Sequence, residues 1–385
     1  MRVLVWQWGR RGAGPRFGAE LAESVRALPG ETAVLSLSRQ AELLRQPEPP
    51  RCELPVNTYD GLASFLLRCA LAPFRVGTLA RRVRALQPDL AICAMPGPLD
   101  LLMAAALARA GIPFLVVVHD ADRHPGDGVP FQMQLQRSLM RRATGLVALS
   151  THVRDRLLAE GLARPDRLIL ASHPPRSFGP APPPAMAHDG PVRLLAFGRL
   201  RPYKGLDLLA EALRLLGPRG DFVLRVVGQG PESPDLAALR ALPGVSVENR
   251  WVPEREVAEL LAWSDAMVLS HREASQSGGA AAAIAARRWV IATRVGGLAE
   301  QLADEPLVRL CDPTPASLAA AIGALLDQRP HRLAAAVARR RCRLAGDGRR
   351  AAGLRTAAAL KGWHQRPSPA AWASKRAISQ LAAGP

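Results

Sequence analysis

Cysteine is scarce in this chain, and its five residues, Cys52, Cys69, Cys93, Cys311 and Cys342, fall in no CxxC or paired spacing. That excludes a cysteine metal cluster and a disulfide framework, and it suits a reducing compartment. Aromatic residues make up only 4% of the chain, too few for a platform on which single-stranded bases would stack. Long apolar runs are missing too. The opening MRVLVWQWGRR has too short an apolar core for a signal peptide and no small-residue cleavage site. Stretches such as residues 99–107 fall well short of a membrane span. Lysine is nearly absent: only Lys204, Lys361 and Lys375 occur among 51 basic residues.

With lysine so rare, the formal charge of +18 comes from arginine, in a sequence also rich in alanine, glycine and proline. Such a bias marks GC-rich coding, and the basic excess reads as spread along the chain rather than massed in one tail. An anionic ligand or membrane surface is therefore expected ahead of nucleic acid. At 385 residues, two compact domains are the natural expectation.

Residues 192–216, VRLLAFGRLRPYKGLDLLAEALRLL, organise the rest. The short continuous apolar run 192–197 predicts a buried parallel-type strand. Gly198 ends it, and Arg199, Arg201 and Lys204 make the following loop basic. Leu206, Leu209, Leu213 and Leu216 then fall at helical spacing. A strand entering a helix through a basic loop is suited to an anion, because helix N-termini add free N–H groups and a positive dipole end. Ser277, Gly278 and the alanines up to residue 286 form a second such start, where small residues let backbone close on phosphate.

Elsewhere strand and helix patterns alternate, which predicts an α/β protein with parallel sheets. In the first half, strands are expected near residues 3–6, 90–94, 114–118, 145–149 and 168–171. Gly12, Gly14 and Gly18 follow the first strand but miss the G-x-G-x-x-G fingerprint at Phe17, so a dinucleotide is poorly supported. His119 and Asp120 sit where the strand 114–118 ends, the place where such sheets hold ligands. The cluster HDADRHPG admits a metal, a solvated loop or a ligand contact, but its histidines have loop rather than helical spacing. Proline crowds the stretch 172–191 and marks a linker with a hinge role.

The segments FGRLRPYKG, VVGQG, VPEREVAELLAWSD, EASQSGG and IATRVGGLAE, in this order, resemble the C-terminal half of family-4 retaining glycosyltransferases. The resemblance spans nearly the whole chain. It implies the GT-B fold: two Rossmann-like parallel-sheet lobes facing a cleft. Residues 1–173 would be the acceptor-side lobe, 174–190 the linker and 191–350 the nucleotide-sugar lobe. Residues 351–385, with Trp363 and Trp372, would form a helical tail crossing back. The implied reaction moves a sugar from a nucleotide-sugar to a saccharide or lipid-linked acceptor with retention, in bacterial polysaccharide or glycoconjugate synthesis.

The resemblance also implies roles for single residues. Arg199 and Lys204, with the amides of Ser277 and Gly278, would hold the diphosphate. His119 would lie beside the donor sugar and Glu273 would bind its hydroxyls. Val252, next to Trp251, would pack on the base, and Gly12, Gly14 and Glu300 would complete the donor site. If those cations and amides carry the diphosphate's charge no metal is required, so neither a metal nor a cofactor beyond the donor is expected. The family's E-x7-E pair falls on Ala274 and Ala282, with Glu273 one residue away, and Trp289 replaces the usual proline. This resembles the branch with A-S-Q-S-G in that place. Two alternatives follow: a catalytically degenerate scaffold, or a GT-B nucleotide-sugar epimerase. The expected location is cytoplasmic, at the inner face of an anionic membrane that Arg81, Arg82, Arg84, Arg137, Arg141 and Arg142 would touch.

Overall fold

In a computed structural model the residues described are 1–122, 132–173, 178 and 188–329. Most of the expected linker, and all of the expected tail with Trp363 and Trp372, lie outside them. The first lobe runs β1 (Arg2–Gln7), α1 (Ala13–Arg26), β2 (Thr32–Leu37), α2 (Leu62–Ala85), β3 (Leu90–Cys93) and α3 (Asp100–Ala110). It continues through β4 (Phe114–Val118), α4 (Gln132–Arg142), β5 (Gly145–Ala148), α5 (Thr151–Ala159) and β6 (Leu168–Leu170). The second lobe comprises β7 (Val192–Phe197), α6 (Leu206–Leu216), β8 (Phe222–Gly228), α7 (Pro234–Arg240), β9 (Val245–Asn249) and α8 (Glu254–Trp263). After these come β10 (Ala266–Leu269), α9 (Gly278–Ala285), β11 (Trp289–Thr293), α10 (Gly296–Leu302), β12 (Val308–Cys311) and α11 (Pro315–Asp327).

Each lobe is one six-stranded, all-parallel sheet. The strand orders are β2-β1-β3-β4-β5-β6 and β12-β11-β10-β7-β8-β9. Helices cover both faces, which is why β3, β4 and β10 read as unbroken apolar runs: every residue in them is buried. In α6, Leu206, Leu209 and Leu213 face the sheet while Leu215 is exposed, as the helical spacing requires.

Strand order reverses between β1 and β3 in the first sheet, and between β7 and β10 in the second. At such switch points neighbouring loops diverge and open a crevice at the carboxyl ends of the strands. The glycine loop after β1 and the basic loop after β7 both leave from these points. Helix α1 begins at Ala13, directly after Gly12. Pro15 is tolerated in that first turn because its missing N–H would have no intrahelical partner there.

Candidate active site

The two switch points face one cleft of about 1430 Å³. The first lobe lines it with Gly12, Gly14, Phe17, Met95, His119 and Arg137 among others. The second lobe supplies Arg199, Arg201, Tyr203, Lys204, Gly228, Val252 and residues 276–279.

The basic loop is shaped by backbone contacts that only glycine allows. Gly205 has φ +64°, and a Cβ there would lie 2.0 Å from the Ser270 carbonyl oxygen. A Cβ on Gly228 would stand 1.7 Å from the Gly198 carbonyl oxygen, so the β8 end lies flush against the start of the loop. The Ser270 hydroxyl then donates to the Lys204 carbonyl at 2.9 Å, and the Arg272 amide donates to the Tyr203 carbonyl at 2.8 Å. Tyr203 is buried, and its ring carries Arg199 at 5.6 Å and Lys204 at 5.3 Å. Such cation–ring contacts hold two like charges side by side at modest cost. The Lys204 ammonium also lies 2.7 Å from His271 Nε2, so that nitrogen is the unprotonated acceptor of a neutral ring.

Helix α9 brings backbone donors to the same place. Ser277 caps it, its hydroxyl oxygen accepting from the Ala280 amide. The Ser277 amide itself is taken: Gln301 Oε1 accepts from it at 2.9 Å, while Gln301 Nε2 donates to the Ser277 carbonyl. Of the two amides expected to face a phosphate, that of Ser277 is thus occupied within the lobe. Gly278 has open space where a Cβ would be, and both glycines line the cleft.

His119, 7% exposed at the end of β4, meets this helix from the other lobe. Its Nε2 sits 3.0 Å from the Ala94 carbonyl, which can only accept, so the proton is on Nε2. Nδ1 then accepts from the Gln276 side chain at 2.8 Å, across the cleft. The Gln276 Oε1 is buried and has no hydrogen-bond partner among the described residues. Sequence reading gave no role to Gln276, His271 or Gln301, although Gln276 lies inside the quoted EASQSGG.

Gly14 leaves room for a side chain of its own lobe, since a Cβ would fall 2.5 Å from the Gln7 amide nitrogen. The Glu273 side chain is exposed and is not among those lining the cleft. Glu300 also lies outside the lining and joins the lobes instead, accepting from the Thr151 amide at 3.0 and 2.8 Å and from its hydroxyl at 2.9 Å. A carboxylate at the first turn of α5 satisfies free N–H groups and the positive dipole end. A second bridge links Arg16 to Glu254 through 2.9 and 2.6 Å bonds, and Gln46 donates to Glu254 at 2.8 Å. That bidentate bond raises the Arg16 pKa further above its ordinary value. Trp251, beside Val252, reaches to within 3.9 Å of where a Gly12 Cβ would be. Among the described residues, no three His, Cys, Asp or Glu side chains gather as metal ligands.

Two parallel-sheet lobes that meet across a cleft at paired switch points define a GT-B protein. Residues 16–172 match the family described as Glycosyltransferase Family 4, and residues 191–328 match Glycosyl transferases group 1. The chain belongs to the GT-B glycosyltransferases. No curated protein sequence matches it significantly. Among solved structures, it is similar to a glycosyltransferase from Rickettsia africae ESF-5, at 18% identity and a TM-score of 0.68 over 95% of this chain and 99% of that one. It is also similar to Anabaena Alr3699/HepE in complex with UDP-glucose, at 16% identity and a TM-score of 0.67 over 94% and 99%. A third likeness is to the lipopolysaccharide outer core galactosyltransferase WaaB, at 14% identity and a TM-score of 0.59 over 94% and 100%.

Proposed function

We propose that this protein transfers a sugar from a nucleotide-sugar to a saccharide or lipid-linked acceptor with retention at the anomeric carbon. The observation that carries the reading is the convergence of Arg199, Lys204 and the α9 N-terminus on one side of the cleft, with His119 on the other. Departure of a nucleoside diphosphate puts negative charge on its phosphates. Fixed cations and N–H groups aimed there lower that barrier without reorganising. HepE binds UDP-glucose in a fold of this kind, which agrees with such a donor.

Ala274 and Ala282, both buried, stand where the family's carboxylates would be. A neighbouring acceptor fills the gap in our reading: Gln276 lines the cleft, and its buried, unpaired Oε1 is the partner a donor-sugar hydroxyl requires. Gln276 thus takes over sugar contact from Glu273, and His119, held in its Nε2–H form, orients the sugar's far side.

The test is a thermal-shift panel of nucleoside diphosphates and nucleotide-sugars, followed by NMR of products formed with saccharide acceptors. An α-linked donor should give an α-linked product. A new free nucleotide-sugar formed without acceptor would instead establish the epimerase reading. Failure of every nucleotide to shift the melting temperature would leave a scaffold, since a ligand at 100 times its Kd adds about 2.7 kcal/mol of stability.

A further inference from the structure

Helix α2 is built unlike the other helices of its lobe. Only Leu79, Ala80 and Val83, near its C-terminal end, are buried. The first half projects Leu62, Leu66, Leu67, Leu71 and Phe74, the last 82% exposed. At helical spacing they spread over roughly half the circumference, a broad apolar face. Other exposed large apolar side chains, Leu170, Leu215 and Trp251, are scattered singly. Along the helix Arg68, Arg75 and Arg82 recur every seven residues, Arg81 and Arg84 follow, and no acidic residue occurs between 62 and 85. Partial burial lowers the Arg75 pKa most, and the like charges of Arg68 and Arg82 on the same edge lower it further.

We propose that the first half of α2 lies in the headgroup region of an anionic lipid bilayer and holds the first lobe on that surface. The charge of the chain selects this occupant. Residues 330–385 carry twelve arginines and lysines against the single Asp347, a net +11 of the chain's +18. The excess is thus concentrated at one end, contrary to the even spread read from the sequence. A basic segment of this chain, or a second copy presenting the same arginine edge, would be repelled by α2. Anionic lipid attracts the helix and residues 330–385 alike. By length and composition α2 could cross a membrane, but its last turns are buried in the lobe and Arg68 and Arg75 interrupt the apolar run. An apolar face edged with arginine lies along the interface instead.

The placement also orients the cleft. Phe65 of α2 packs on Tyr59 at 5.3 Å, and Arg10 stacks on the same ring at 5.0 Å. Arg11 and Gly12, next in the chain, line the cleft. The docked helix therefore sets the cleft mouth at the lipid surface, whatever reaction the cleft performs.

Flotation of the full chain with phosphatidylcholine vesicles, and with vesicles of about one-third phosphatidylglycerol, tests this. Binding is expected to the anionic vesicles at low salt and to fall steeply at high salt. Leu67→Ser/Phe74→Ser, at exposed positions, should weaken it at least about tenfold with an unchanged melting temperature. Each of Arg68→Gln and Arg75→Gln should weaken it about fivefold. No flotation of the wild type at low salt overturns the proposal, and so does a serine variant that binds as well as the wild type. A wild-type dimer that the serine variant converts to monomer would show that a second copy covers that face, and would overturn it too.

Discussion

Replacing Lys204 with methionine should weaken binding of a nucleoside diphosphate ten- to hundredfold. The ammonium lies 2.7 Å from His271 Nε2, so it is already held in the cleft and a phosphate need not order it. A hydrogen bond to a charged group contributes about 1.5–3 kcal/mol, which is roughly one to two decades in affinity. The upper Coulomb bound, about 4 kcal/mol at 4 Å with an effective dielectric of 20, is not reached in a cleft open to water. Methionine keeps the aliphatic packing against Tyr203, and loss of the ammonium donor to buried His271 costs on the order of 1 kcal/mol. The melting temperature should then fall by no more than about 2–4 °C, the effect of roughly 1 kcal/mol. Calorimetric titration with whichever diphosphate shifts the wild-type melting curve reads the loss. An affinity within threefold of wild type, in a variant that melts normally, would refute the assignment of Lys204 to the diphosphate.

Gln276→Ala should lower turnover of a nucleotide-sugar more than it lowers diphosphate affinity, because it removes the sugar contact and the bond to His119 but leaves Arg199 and Lys204; equal losses in both would count against it. Glu254→Gln should loosen the lobes, seen as a larger radius of gyration by X-ray scattering without ligand, and an unchanged profile would mean that Arg16 and Gln46 do not hold the cleft closed. Asp100, buried at the start of α3, has its pKa raised to about 7, burial outweighing the Gly97 amide and Cys93 thiol that donate to it. The folded protein thus keeps this proton to about pH 7, while the unfolded chain loses it near 3.8, so stability falls as pH rises between them. Asp100→Asn should gain stability relative to wild type as pH rises from about 5 to about 8, by at most about 3 kcal/mol; the same gap at both pH values would refute this.

The alternation of strand and helix was legible because both sheets are parallel and buried, so their strands stand out as short apolar runs between helical spacings. Where burial is partial, that signal fades. Strand β12, Val308–Cys311, has one buried residue and lies at a sheet edge, and nothing in VRLC announces it. Arg199 and Lys204 could be found because one short loop carries both. His271 and Gln276 could not be given roles, because each acts through a partner far away in the chain: Lys204, 67 residues earlier, and His119, 157 residues earlier. Glu300 misled for the converse reason. Its place in a family-like segment suggested a ligand contact, while the fold brings it to the first turn of α5, 149 residues away.

In the proposed reading, those distant pairings place sugar contact, phosphate contact and lobe contact on one short segment. The Ser275 carbonyl accepts from Ser150 of the other lobe at 3.2 Å, Gln276 reaches His119, and Gly278 and Gly279 open α9 toward the cleft. Gln301 clasps both ends of the Ser277 peptide, and Glu300, next to it in α10, grips Thr151. A phosphate drawn to the α9 N-terminus therefore meets a segment whose position is already tied to the first lobe at three points. Parting the lobes would break the Gln276–His119 bond and the Glu300 cap together. In the glycosyltransferase reading the diphosphate site and the sugar site are completed by the same closure. The energy of holding the diphosphate thereby contributes to placing the sugar, which is the condition for binding energy to be spent on the transition state rather than on the bound donor alone.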